Sequence, residues 1–273
     1  MTKLRIPRQI LLVLLGVTAF ASYAQNVPPA QPVPIESGGE IQREGEAFRR
    51  LPTTGSIKER LAACQAFVDQ FPGSQLSLRV MRDVCTFYLL QEKTGNSDPL
   101  RSCAAWIGER LSSPAYSWNR FAGAPESLIL ERIETQLVYA RILANLRSDS
   151  GKGRYDEALS ALAEILVEGD SRPDLWSARP DLKEQIDFAR CWCFHGQQEE
   201  LRSALSCYQH FMETYPSSDF MPAVLLNAAR TLNAIDPQGS REQTILYLTR
   251  LRDEFPKSAE AAAPDVLKLL GER

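Results

Sequence analysis

The chain is 273 residues long and carries 31 lysines and arginines against 34 aspartates and glutamates, a formal charge of −3. That balance offers no polycationic surface, so nonspecific nucleic-acid binding is disfavoured. The most apolar stretch, Ile10 to Phe20, would span only about 16 Å as a helix against a hydrocarbon core of about 30 Å, so no transmembrane anchor is expected.

In chain order, Lys3, Arg5 and Arg8 precede that apolar run, and Ser22-Tyr23-Ala24 places small residues three and one before a cleavage point. Residues 1–24 therefore read as a secretory signal peptide cut after Ala24. A lipid-anchored form would need a cysteine directly after the apolar run, whereas the first cysteine is Cys64, so lipidation is not expected. Cleavage removes three basic and no acidic side chains and takes the formal charge from −3 to −6. Residues 25–40 hold four prolines and two glycines, the composition of an extended tether. The remaining residues, 41–273, are the folded part, and the expected compartment is the periplasm.

Three segments of that part align without gaps: Leu61 to Ser74, Leu205 to Ser218 and Ile245 to Ser258. Each carries an aromatic-proline-x-serine ending, Phe71-Pro72, Tyr215-Pro216 and Phe255-Pro256. Counting back from the aromatic, side chains recur ten residues earlier (Leu61, Leu205, Ile245), seven earlier (Cys64, Tyr208, Leu248) and four earlier (Phe67, Phe211, Leu251). Steps of three and four trace one face of a helix. The proline, lacking an N–H, stops that helix, and the serine is placed to cap the next. The unit is thus a helix, a tight turn and a second helix.

These residues resemble the tetratricopeptide (TPR) family. Gly153-Arg154-Tyr155-Asp156-Glu157-Ala158-Leu159 looks like the entry into that family's second helix. Ala204, Tyr208, Phe211 and Pro216 reproduce its spacing of small residue, aromatic, packing residue and closing proline. The endings are similar to those of bacterial envelope members, such as outer-membrane-assembly lipoproteins of the BamD type and Tol-Pal coordinators of the YbgF type. Arg60 and Thr244 stand at the small-residue position in the first and last copies, marking those units as caps or divergent. The resemblance implies an all-α fold, a right-handed α-solenoid of about five helix pairs. The expected helices are 56–70, 75–92, 97–111, 126–147, 153–168, 181–195, 198–214, 219–235, 241–254 and 258–270, with Pro264 kinking the last. Residues 112–125, with Tyr116, Trp118 and Phe121, form either a loop docked by its aromatics or a mobile binding loop.

Six cysteines in an oxidising compartment can pair. Cys85 and Cys103 are nearly equidistant from the turn at Gly95-Asn96 and are the first choice, although Cys85 could instead reach Cys64. One further bridge can form among Cys191, Cys193 and Cys207. The run Cys191-Trp192-Cys193-Phe194-His195 invites a metal or redox reading, but helical residues two apart diverge by about 200°, so packing with a structural thiol is preferred. No metal or cofactor is expected.

The chain contains no Gly-x-Ser-x-Gly elbow, His-Glu-x-x-His pair, phosphate loop or dinucleotide fingerprint. A wall-turnover enzyme would need a separate catalytic domain, and the repeats fill nearly the whole chain, so an enzyme is not expected. In the resembled family the residue after the small packing residue faces the concave groove. The resemblance therefore implies that Arg141, Arg190 and Arg230 line one groove as a ladder suited to an acidic protein or peptide. The competing reading ties each arginine to a local carboxylate such as Asp187. The expected function is a periplasmic scaffold or adaptor for protein or peptide partners, in outer-membrane assembly, cell-wall coordination or envelope export. The alternative is a cell-wall glycan-binding module, which would need Trp106, Trp118, Trp176 and Trp192 exposed and aligned.

Overall fold

The computed structural model describes residues 38–52, 54, 56–91, 98–146 and 153–270. The expected leader, most of the expected tether, and the turn expected at Gly95-Asn96 lie outside them. The described residues are all-α, without strands. The helices are α1 (Gly38–Arg49), α2 (Ile57–Gln70), α3 (Gln75–Gln91), α4 (Asp98–Leu111), α5 (Glu126–Asn145), α6 (Tyr155–Asp170), α7 (Pro173–Ala178), α8 (Pro180–Gly196), α9 (Leu201–Thr214), α10 (Met221–Ile235), α11 (Arg241–Glu254) and α12 (Pro264–Leu270). None is long and apolar enough to cross a membrane.

Two expectations are corrected at the ends. The composition predicts a tether to residue 40, but α1 begins at Gly38; Glu46 accepts from Gln42 and pairs with Arg50, and the Phe48 ring meets Phe67 edge-on at 5.9 Å. Turn-by-turn side-chain pairs and one apolar anchor hold a helix in which glycine is otherwise unfavourable. At the other end, Pro264 does not kink a helix running from residue 258. It opens α12, where its missing N–H costs nothing.

The three repeated endings have nearly identical backbones. Phe71, Tyr215 and Phe255 adopt φ of −125°, −125° and −129° with ψ of 61°, 60° and 48°. Their N–H groups donate to Phe67, Phe211 and Leu251 at 3.0, 2.9 and 3.0 Å. Each carbonyl then accepts from the serine three residues on, Ser74, Ser218 or Ser258. The serine hydroxyls accept from Ser77, Phe220 and Ala261 N–H groups at 3.0, 2.9 and 3.1 Å. The sequence repeat is therefore a repeat of backbone hydrogen bonding.

Residues 38–146 with 163–175 form one compact unit and residues 153–162 with 176–270 the other. In the N-terminal unit α3 packs against α2, α4 and α5, and α4 against α5. Ser56 and Glu59 form a reciprocal capping box at the start of α2. Residues 112–125 take the docked alternative: two short 3-10 turns, Pro114–Tyr116 and Trp118–Phe121, bury Tyr116 and Phe121. Arg132 secures them from α5, donating from Nε to the Tyr116 carbonyl at 3.0 Å, with its guanidinium 4.5 Å from the Trp118 ring centre. Its Nη1 donates to the Gln136 side-chain oxygen, and burial pulls its pKa down to about 10 despite nearby Glu164 and Glu168.

Gly73, in the first repeat's turn, sits at φ +75°, and a Cβ there would lie 2.5 Å from the Ala115 carbonyl oxygen of the docked segment. Gly73→Ala is therefore expected to destabilise by about 1–2 kcal/mol or more, combining left-handed strain with the clash. Gly123→Ala, where a Cβ would meet nothing within 4 Å, is the control and should stay within about 0.5 kcal/mol. Urea midpoints of the two variants provide the comparison; equal midpoints would contradict this docking.

In the C-terminal unit α8 packs on α9, α9 on α10, α10 on α11 and α11 on α12, with α8 also reaching α10. All residues of α10 from Met221 to Leu232 are buried, as a helix enclosed by neighbours must be. Ala204, at the small-residue position of its repeat, is fully buried, as are Tyr208 and Leu248 one turn on. Ala228 and Ala229 are likewise fully buried, and small residues there permit close helix approach.

Candidate functional site

The C-terminal unit carries an open cleft of about 540 Å³ along the seam of α8 and α9. Asp187, Arg190, Cys191 and Phe194 line it from α8, a set at helical steps of three and four. Arg202, Ser206, Cys207 and His210 face them from α9. The floor is covalent: Cys191 and Cys207 form a disulfide with Cα atoms 5.2 Å apart, so the two walls are held at a fixed spacing. This resolves which of the three nearby cysteines pair. Cys193, two residues on from Cys191, is a buried thiol whose pKa desolvation pushes up to about 12.

Charge in the cleft is unbalanced. Asp187 already accepts from the Tyr215 hydroxyl at 2.7 Å and lies 3.4 Å from Arg190. The Tyr215 hydroxyl is raised well above its usual pKa, by partial burial and by donating to that carboxylate. Arg190 is half-exposed and has one long contact only, to Asp187. Arg202 is exposed and has no hydrogen-bond or ion-pair partner among the described residues. Exposed His210 makes a 3.4 Å contact with Thr214. The cleft thus presents two guanidinium groups, an imidazole and the Ser206 hydroxyl, against the Asp187 carboxylate, which is already satisfied; the Ser203 hydroxyl is committed to Glu200 at 2.7 Å. Such a surface suits a carboxylate-bearing ligand.

The arginine ladder is corrected at Arg230. That side chain is 4 % exposed and donates through two nitrogens to Asp265 of α12, at 2.6 and 2.8 Å. The pair holds the Asp265 carboxylate below its usual pKa against the opposing effect of burial. Arg230 therefore ties α10 to the terminal helix instead of facing a groove, and its partner is 35 residues away, not local. Arg141 belongs to the N-terminal unit and is half-buried, with desolvation lowering its pKa to about 10. Only Arg190 of the three lies in the cleft, beside the Asp187 named as its local partner. Arg202 and His210 were missed. Helical spacing from Cys207 to Ser203, Ser206 and His210 was the signal that could have found that wall.

The Cys191-Trp192-Cys193-Phe194-His195 run is divided among separate environments. His195 is buried, shares a 2.8 Å hydrogen bond with Thr231, and stacks on Trp192 with ring centres 6.0 Å apart. Burial first, then the Arg230 charge, lowers its pKa to about 4. Among the described residues no three His, Cys, Asp or Glu side chains converge as a metal site would require. Of the tryptophans, Trp106 is buried, Trp118 covers Arg132, Trp176 lies 5.2 Å from the Lys183 ammonium, and Trp192 stacks on His195. None is exposed.

In comparisons with known proteins, no family model matches the chain and no curated protein matches it.

Proposed function

We propose that the chain is an exported, periplasmic scaffold of TPR-like helix pairs, arranged as a right-handed solenoid, that grips acidic segments of protein partners in the cleft between α8 and α9. The observation that carries this reading is that exposed Arg202, without a hydrogen-bond or ion-pair partner among the described residues, lines the same disulfide-bridged cleft as the incompletely paired Arg190. Guanidinium groups suit carboxylates, which they can grip with two parallel hydrogen bonds. The repeated caps support the repeat architecture, and the Cys191–Cys207 bridge supports an oxidising compartment. The unexposed tryptophans give the glycan-binding alternative no support.

The test is fluorescence anisotropy on residues 25–273 with a labelled glutamate–serine peptide and its glutamine–serine counterpart. The glutamate peptide should bind in a salt-sensitive manner and the glutamine peptide at least tenfold more weakly. Arg190→Gln with Arg202→Gln should cost tenfold or more in affinity, about 1.4 kcal/mol, while Arg250→Gln on α11 should change nothing. Equal binding of the two peptides, or indifference to the double substitution, would overturn the reading.

A further inference from the structure

We infer that Cys85 and Cys103 close a second disulfide, joining α3 to α4 in the N-terminal unit as Cys191–Cys207 joins α8 to α9 in the C-terminal one. Their Sγ atoms lie 2.8 Å apart, nearer than two non-bonded sulfurs normally approach, and both side chains are buried with no other hydrogen-bond partner among the described residues. The sequence separation is 18 residues for this pair and 16 for the formed bridge. Each links a helix to the next one in the chain. The two units are thus stapled in the same way, each by a bond between consecutive helices. Of the other cysteines, Cys64 is half-buried and Cys193 buried, and both remain thiols.

The step balances with a disulfide oxidant such as oxidised glutathione. The Cys85 thiolate attacks one glutathione sulfur and releases a glutathione thiolate. The Cys103 thiolate then attacks Cys85 Sγ in the mixed disulfide, forming the protein S–S bond and releasing the second. Two protein thiols lose two protons and two electrons, and one oxidised glutathione becomes two reduced ones. Because both sulfurs are buried in the folded unit, the exchange occurs as the chain folds, and the finished bond is shielded from reductant. In the cell this pairing rests on the exported reading above, since a reducing compartment would oppose it.

The experiment is refolding of the full chain in a glutathione redox buffer, trapping of free thiols with iodoacetamide in denaturant, and mass spectrometry of a non-reduced tryptic digest. Peptide 83–93 should be recovered linked to peptide 102–110, with carbamidomethyl groups on Cys64 and Cys193. The Cys191–Cys207 link between peptides 191–202 and 203–230 is the internal control. Alkylated Cys85 and Cys103 beside an intact control bridge, or a peptide 61–79 linked to either cysteine, would overturn the proposal. The refolding readout does not depend on where the cell places the protein. A second digest, of chain recovered from the exported fraction, tests export separately: the linked pair in the refolded sample with free thiols in the cellular one would count against export alone.

Discussion

Replacing Cys191 and Cys207 together with alanine is expected to lower stability by about 3 kcal/mol, the loop-entropy value for a crosslink enclosing about 15 residues. The bridge joins α8 to α9 across a 16-residue separation, so its loss frees both helices in the unfolded chain without removing an apolar contact of comparable size. Cys193→Ala is the control. That thiol is buried beside the same helices but bonded to nothing, and its truncation should cost about 1 kcal/mol or less. Urea unfolding with and without reductant measures both, and the reductant should shift the parent chain by more than the double variant, in which only the proposed Cys85–Cys103 bridge is left to reduce. A double variant within 1 kcal/mol of the parent would show that the bridge contributes no constraint. The cleft should suffer more than the fold, because its two walls are spaced by that bond.

Acid should destabilise the C-terminal unit through His195, and the sign follows from its depressed pKa of about 4. The unfolded side chain takes up a proton near pH 6.5, while the folded one, buried against Trp192 and Tyr208 with Arg230 nearby, resists until about pH 4. Between those values the unfolded state binds more protons, so the contribution of this group is complete above about pH 6.5 and is lost as pH falls toward 4. The full loss is on the order of 3 kcal/mol, from about 2.5 pKa units. Many carboxylates titrate in the lower half of that window, so the informative quantity is the difference from His195→Gln, which can still hydrogen-bond Thr231. The parent should lose stability relative to that variant as pH falls from 6.5 to 4. Parallel pH curves for the two proteins would contradict a buried, neutral His195.

Helix spacing was legible in the sequence because one physical signal repeats: an apolar face at steps of three and four, closed by an aromatic and a proline. Hence α2, α3, α5, α10 and α11 lie within two residues of their expected limits, and α9 starts three residues later than expected. The misses have local causes. Gly38, Gly39 and Glu40 read as the end of a tether, yet side-chain pairs along α1 and Phe48 against Phe67 make a helix. Pro264 was read as an interruption because an apolar pattern precedes it, whereas residues 258–263 close in turns before it.

The candidate site was only partly readable. Cys191 and Cys193 lie 16 and 14 residues from Cys207, and sequence separation does not choose between them. The choice depends on the rotation of α8 about its axis, which its packing on α9 and α10 sets. Arg230 followed the same small-residue pattern as Arg190, but its fate was decided by Asp265 in a helix whose start was misplaced. Conversely, Arg202 belongs to no repeat position and became visible only once α9 was laid beside α8.

The most direct test of the account is a photoreactive residue at Ser206, on the exposed wall of the cleft, in the full chain expressed in cells. Crosslinked peptides identified by mass spectrometry should be rich in aspartate and glutamate, and their yield should fall at least tenfold when Arg190 and Arg202 are both glutamine. A photoreactive residue at exposed Leu246 on α11 should not give them. Crosslinks without acidic bias, unaffected by the arginine substitutions, or equally abundant from position 246, would contradict a cleft built to hold carboxylates.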